Sequence, residues 1–580
     1  MKRLLNAGAR FLWLLAAATV FLVVAVPGAL AYNPDALVTG ESPTSPFSQS
    51  KQNEPAVAID PSNPDVVAAG ANEEIDMEAC NAGADNTCPF TPGVGVSGVY
   101  FSFDRATTWN QPTYTGWTAR FCLGAIGPDP GCSPMFGPIG TLPWYYENNL
   151  VSDGDPAVAF GPRPGPGGFD WSNGSRLYYA NLTSSFSGVR SEAGIKGFEA
   201  IAVSRTDNVQ AAAADAKDAW LPPVIVSKQN AALFSDHEMI SADDAESSPF
   251  FGNVYICDAA FRSQEISPNA LPEPIVVNVS RDGGNSWRSR QVSAAVDNNV
   301  NGGRQDCQVD TDSNGVVYVF WDGFDRRSGS LAIYYIRSFD GGNSFKRPAR
   351  ILTTVVSPGR GGTMDGVAGA RDGLTPSISI ANGAPSGTDA PNTIAVTYAE
   401  GPTNAETAKV WLGQPAGRRP VQWQGPFLAS VPGDRPMFPA IAVSPDGSDL
   451  YLTYDSFLQD WQPSVLAPPR LMQGVVRHSD APAAAFTDLL RATPGDSRGS
   501  SANALTDGFL GDYNFAFATN EYGVLVWNDA RNALDCPAVD AYRQSIVDGN
   551  PITPPAPQQD CLPGFGNTDI FSGSYPDPTP

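Results

Sequence analysis

Apolar and polar residues alternate along most of this chain in short runs, broken by Pro, Gly, Asn and Asp, and pairs of such runs recur. Glu54-Pro55-Ala56-Val57-Ala58-Ile59-Asp60-Pro61 leads into Asp65-Val66-Val67-Ala68-Ala69-Gly70: a strand, a Pro/Asn turn and a second strand. The pairing returns at 155–160 with 176–180, 238–242 with 253–257, 306–310 with 316–321, 376–381 with 393–398, 439–444 with 450–454, and 512–519 with 523–527. A third β-branched or aromatic run follows each pair, at 99–103, 200–204, 275–280, 333–338, 409–412, 474–478 and 569–572. Seven sets of three or four strands predict an all-β β-propeller of four-stranded antiparallel blades, with seven blades preferred and six the alternative. The last set runs out of chain after its third strand. A stretch near 36–44, within the polar segment 32–49, is therefore expected to supply the missing outer strand, and 50–580 reads as one propeller domain. Long insertions fall at 110–152 and 529–566, short helices are predicted at 210–218 and 484–492, and 357–373 is Gly-rich.

Two third strands run into near-identical turns, Ser280-Arg281-Asp282-Gly283-Gly284-Asn285-Ser286-Trp287 and Ser338-Phe339-Asp340-Gly341-Gly342-Asn343-Ser344-Phe345. Each residue type has a task. Asp folds back on the turn amides, the glycines admit positive φ, and the aromatic ring enters the apolar layer beneath. A degenerate copy spans Ser102 to Trp109. The spacing S-x-D-x-G-x-x-W resembles the Asp-box, or BNR repeat, of sialidases and related β-propellers. The resemblance implies a structural role for Ser280, Asp282, Gly284, Trp287, Ser338, Asp340, Gly342 and Phe345 on outer turns away from the ligand mouth.

Composition narrows the function. Gly 57 and Pro 52 in an apolar, aromatic chain favour many short strands, and a formal charge of −24 without a Lys/Arg cluster excludes nucleic acid and anionic membrane surfaces as partners. Residues 1–31 carry Lys2, Arg3 and Arg10, an apolar run and an Ala29-Leu30-Ala31 exit, which predicts a secretory leader cleaved after Ala31 and a soluble, exported, bacterial-type product. Eight cysteines agree with that address; sequence proximity pairs Cys80 with Cys88, Cys122 with Cys132, Cys257 with Cys307 and Cys536 with Cys561.

In a propeller the residues ahead of each first strand rim one mouth. Reading the repeats in register places Glu54, Asp155, Asp236 with His237 and Glu238, Arg304 with Asp306, Arg371 with Asp372, Asp434 with Arg435, and Asp512 with Tyr513 there. Such a rim suits an extracellular glycan or protein ligand. The sialidase resemblance implies an alternative, exo-acting glycoside hydrolysis with Arg304, Arg371 and Arg435 on a substrate carboxylate, Tyr513 as nucleophile and Asp512 beside it. Against that alternative, the first two repeats supply no rim Arg, and no repeat-aligned Glu stands beside Tyr513. Asp310, Asp312 and Asn314 form a D-x-D-x-N-G turn that opens like a calcium loop but lacks its distal Glu; no other cofactor is expected. Gly495–Gly499 matches G-x-S-x-G by letter but lacks the strand and helix that motif needs. Oligomeric state is not encoded in any of these features.

Overall fold

The computed structural model describes residues 35–40, 51–78, 91, 93–122, 132–186, 199–228, 233–262, 273–295, 304–325, 330–351, 374–462, 464–466, 469–481, 485–500, 505–506 and 508–579. Seven antiparallel sheets follow one another along the chain as the blades of a propeller. Their first strands are Gln52–Ile59, Leu150–Pro162, Leu233–Ala242, Arg304–Thr311, Ser377–Ile380, Pro436–Val443 and Phe515–Ala518. Each first strand packs against that of the next blade, and the seventh packs against the first, so the ring closes. Alternation explains the order: small apolar side chains such as Ala56, Ala58, Ala440 and Ala442 are fully buried where inner strands crowd the axis. Second strands carry the wide residues Tyr178, Tyr255, Tyr318, Tyr451 and Trp527, which fill the broadening space between blades.

Blade 7 takes its outer strand from the other end of the chain, since Ala36–Leu37 pairs antiparallel with Asp569–Pro576. Val38 N donates to Ile570 O at 2.9 Å and Arg531 reaches Asp35. Blade 1 departs from the four-stranded pattern: its ladder has three strands, and the outer edge of the third carries only isolated bridges, Phe101 with Asn110 before the insertion and Gly98 with Thr141 after it. That insertion holds a hairpin, Tyr114–Thr118 with Met135–Ile139, and the Cys122–Cys132 disulfide. The second insertion is partly helical, Pro537–Val547, and is tied by Cys536–Cys561. The predicted helix at 210–218 is present as Val209–Ala213 and a 3-10 turn. The one predicted at 484–492 is instead a strand, Thr487–Arg491, because pairing with Leu471–Asp480 overrides the helical preference of its Ala and Leu residues. Residues 1–31, Cys80, Cys88 and 357–373 lie outside the described residues. No helix among the described residues is long and apolar enough to cross a membrane.

The two glycine-rich turns sit between blades. Asp282 Oδ1 accepts from Ser280 Oγ at 2.9 Å and from the amides of Asn285 and Ser286 at 3.0 and 2.9 Å, while Ser286 Oγ donates to Oδ2 at 2.5 Å. Asp340 is held likewise by Ser338 and Ser344. Gly284 and Gly342 have φ of +80° and +76°; a Cβ on Gly284 would meet Arg205 at 2.8 Å and Tyr178 at 3.3 Å, both from the preceding blade. These turns therefore seal blade against blade, with Trp287 and Phe345 half-buried on the core beneath.

Candidate functional site at the propeller mouth

The inner strands begin with a repeated irregularity. Pairing with the second strand skips between Asn53 and Ala56, Asp236 and Met239, Gln305 and Gln308, and Met437 and Ala440, and it shifts in blade 2 near Ala157. In each bulge one residue turns left-handed: Glu54 (φ 54°), Asp155 (49°), His237 (53°), Asp306 (55°) and Phe438 (50°), with Thr375 (25°) in blade 5. Blade 7 places Tyr513 at the same point, two residues ahead of its first strand. Non-glycine residues in this region cost about 1–3 kcal/mol each and persist only where packing imposes them. The repetition therefore marks one ring of seven side chains at the end of the channel opposite the glycine-rich turns.

The ring is cross-linked. Asp155 N donates to Asn72 Oδ1 at 2.8 Å, and Asn72 Nδ2 donates to Glu54 Oε2 at 2.7 Å. His237 N lies 3.4 Å from Asp155 Oδ2, His237 Nδ1 is 3.3 Å from Asp306 Oδ1, and Thr375 Oγ1 donates to Asp306 Oδ2 at 3.1 Å. Across the axis the rings of His237 and Tyr513 meet edge to face, with centroids 4.7 Å apart. Burial, and then the charges of Asp155, Glu54, Glu238 and Asp512, push the Tyr513 phenol well above its ordinary range, so it stands protonated. The Cys257–Cys307 disulfide joins blade 3 to blade 4 one residue beyond Asp306. Below this constriction the channel opens into a cavity of about 270 Å3, lined by Ile59, Phe160, Ile240, Ile378, Val443 and Phe515 among others.

Carboxylates surround the ring. Glu73, Asp153 and Asp258 are each pushed up to about 7 by burial. Asp322 and Asp455 are raised further, by burial and then by neighbouring carboxylates for Asp322. Asp236 Oδ2 accepts from Gln305 at 2.8 Å, and Glu238 is fully buried beside His237.

The arginines are dispersed. Arg304 lies on the first strand of blade 4. Arg435 precedes that of blade 6, where Nη1 donates to Asn404 Oδ1 at 3.1 Å and the guanidinium covers the Phe457 ring. Arg371 lies outside the described residues. In blades 5 and 6 the ring positions belong to Thr375 and Phe438, a few residues beyond the Arg371–Asp372 and Asp434–Arg435 pairs that the sequence suggested. The missed signal was an X-Pro step ahead of the apolar run, shared by Glu54-Pro55, Asp155-Pro156, Thr375-Pro376 and Phe438-Pro439.

Other candidate residues have local duties. Asp312 accepts from the amides of Asn314 and Val316 at 2.9 and 3.0 Å and from Tyr318 Oη at 3.0 Å. Asp310 accepts from Thr311 N at 2.8 Å and Ile380 N at 3.1 Å. Both carboxylates thus serve the hairpin and its neighbour. Ser497 is buried with its Oγ donating to Arg470 O at 2.8 Å.

No protein-family profile and no curated protein matches the chain. Solved structures similar to it include a leech intramolecular trans-sialidase, at 12% identity and a TM-score of 0.40 over 72% of this chain and 67% of that one. The intramolecular trans-sialidase of Ruminococcus gnavus matches at 12% identity and a TM-score of 0.41, over 74% and 94% of the two chains. An α-L-arabinofuranosidase of Fusarium graminearum, Arb93A, matches at 10% identity and a TM-score of 0.35, over 74% and 94%. All are β-propellers, and this chain is a seven-bladed β-propeller similar to them in fold.

Proposed function

We propose that the chain is an exported recognition protein that binds extracellular glycans at the propeller mouth. The observation that carries this reading is the recurrent ring at the heads of the inner strands: left-handed Glu54, Asp155, His237, Asp306, Thr375 and Phe438, with Tyr513 at the equivalent place in blade 7, so six of seven positions are polar. Sugar hydroxyls both donate and accept, and a ring that mixes carboxylates, an imidazole and two hydroxyls answers both roles. Three disulfides agree with an oxidising exterior, reached through the leader at 1–31. The test is a glycan array probed with labelled protein beginning at Tyr32. Binding to a subset of neutral glycans, reduced roughly tenfold by Asp155→Asn, is expected; a blank array from correctly folded protein would refute the reading.

The second reading, exo-hydrolysis of a sialoside by Tyr513 with Arg304, Arg371 and Arg435, draws on the same mouth. A strongly protonated phenol and an Arg435 already engaged by Asn404 and Phe457 weigh against it. Turnover of a fluorogenic sialoside by the wild type, lost in Tyr513→Phe, would put hydrolysis in place of recognition.

A further inference from the structure

We propose that His237 and Tyr513 together form one hydroxyl-binding site on the propeller axis, where His237 Nε2 accepts from, and Tyr513 Oη donates to, a single hydroxyl of a saccharide. This rests on the mouth being a glycan site. The two residues come from blades 3 and 7, their rings touch, and they are only 3% and 4% exposed. Yet His237 Nε2 and Tyr513 Oη have no hydrogen-bond partner among the described residues. A buried donor or acceptor left without a partner is costly, so such atoms are usually matched. Packing does not demand polar residues here, because Phe438 fills the equivalent position in blade 6.

The roles of the two atoms follow from their surroundings. Asp306 Oδ1, 3.3 Å from Nδ1, favours the proton on Nδ1 and leaves the lone pair on Nε2. Thr375 holds Asp306 from its other oxygen, and Cys257–Cys307 ties together the two blades that carry the pair. On the other side, burial and then the charges of Asp155, Glu54, Glu238 and Asp512 keep the phenol a donor. The resulting set, one acceptor and one donor amid negative charge, selects its ligand. A carboxylate has no proton for Nε2 and is repelled; an ammonium has no lone pair for Oη. A neutral hydroxyl meets both requirements.

The chain has only two histidines, His237 and His478, which makes the experiment direct. Protein with 13Cε1/15N-labelled histidine is titrated with methyl β-D-galactopyranoside, methyl β-D-glucopyranoside and myo-inositol, and with tetrahydropyran as a ring without hydroxyls. His237 is expected in the Nδ1–H form, with an Nε2 signal that moves with at least one polyol and not with tetrahydropyran, while His478 stays still. Tyr513→Phe should weaken that polyol roughly tenfold without lowering the urea midpoint. A proton on Nε2, or no response to any of the three polyols, overturns the assignment. A positive glycan array with a silent His237 would leave the recognition reading standing and remove this one, whereas a blank array together with a silent His237 would remove both.

Discussion

On the outer turns, Asp104, Asp282 and Asp340 sit in nests of serine and threonine hydroxyls and turn amides. Slight burial works against these contacts, but the hydrogen bonds win and hold each carboxyl below its ordinary range. At the mouth, Glu73, Asp153 and Asp258 are wrapped by strands, and burial prevails over the hydrogen bonds they receive, pushing each up to about 7. The residue chemistry is the same and the outcome opposite, because the exposed turns hydrogen-bond their carboxylates at little desolvation cost, whereas the strand-wrapped groups are hydrogen-bonded at high cost. A carboxylate that the fold satisfies has been used to build the fold. Raised carboxylates also lie elsewhere, Asp310 at the far end of its inner strand and Asp540 in the second insertion, but Glu73, Asp153 and Asp258 stand close to the bulges that shape the mouth.

The contrast can be broken by exchange. The largest stability effect is expected from Asp282→Ala, which removes four hydrogen bonds and should cost about 1–2 kcal/mol in urea unfolding with glycan affinity unchanged. Glu73→Gln or Asp258→Asn at the mouth should leave stability at neutral pH equal or higher; a loss as large as that of Asp282→Ala would erase the distinction between the two ends. Next comes pH. For the raised mouth groups the folded state holds more protons than the unfolded chain between the ordinary values, 4.5 for Glu73 and 3.8 for Asp153 and Asp258, and about 7. Their stabilisation is thus complete below that window and lost as pH rises through it. The turn aspartates act in the other sense, losing their contribution as pH falls below their ordinary 3.8. Melting temperature should therefore peak between about pH 4 and 5 and decline toward pH 8, with a shallower decline in the Glu73→Gln, Asp258→Asn double variant. A profile flat from pH 5 to 8 would contradict the burial account. The smallest effect concerns blade 1, where Arg105 (φ 61°) and Ala106 (φ 62°) take the left-handed places that glycines occupy in the two full copies. Ala106→Gly should stabilise by a few tenths to about 1 kcal/mol, and Gly284→Ala should do the opposite by more.

Most of the architecture was legible because alternation repeats: once Glu54–Gly70 is recognised as a strand pair, six further copies declare themselves, and the shortage of strands in the last blade points to the start of the chain. The strand at 487–491 was not, since an outer edge strand obeys its neighbour more than its own propensities. The mouth was legible by location and not by membership. Glu54, Asp155, Asp306 and Tyr513 stand where reading in register places them, but charged Arg435 and Asp434 drew attention from Phe438 three residues on. His237 was read at the rim together with Asp236 and Glu238, but which of the three turns toward the axis was not legible, because neighbours in a regular strand point to opposite faces. A bulge with one left-handed residue cancels that rule, and single-sequence patterning carries no direct sign of it.

The pairing of Ala36–Leu37 with Asp569–Pro576 gives the molecule an order of assembly. The first described residues to be synthesised are docked on almost the last, so six blades can stack while the seventh lacks an edge, and the circle is completed only when both extremities are present. A clasp of two paired residues, the Val38–Ile570 amide bond, an Ile570 N to Thr39 Oγ1 contact and the Arg531–Asp35 contact joins segments far apart in sequence. Pulled by its termini, the propeller would part there first and then unroll, blade by blade, from both sides of the gap.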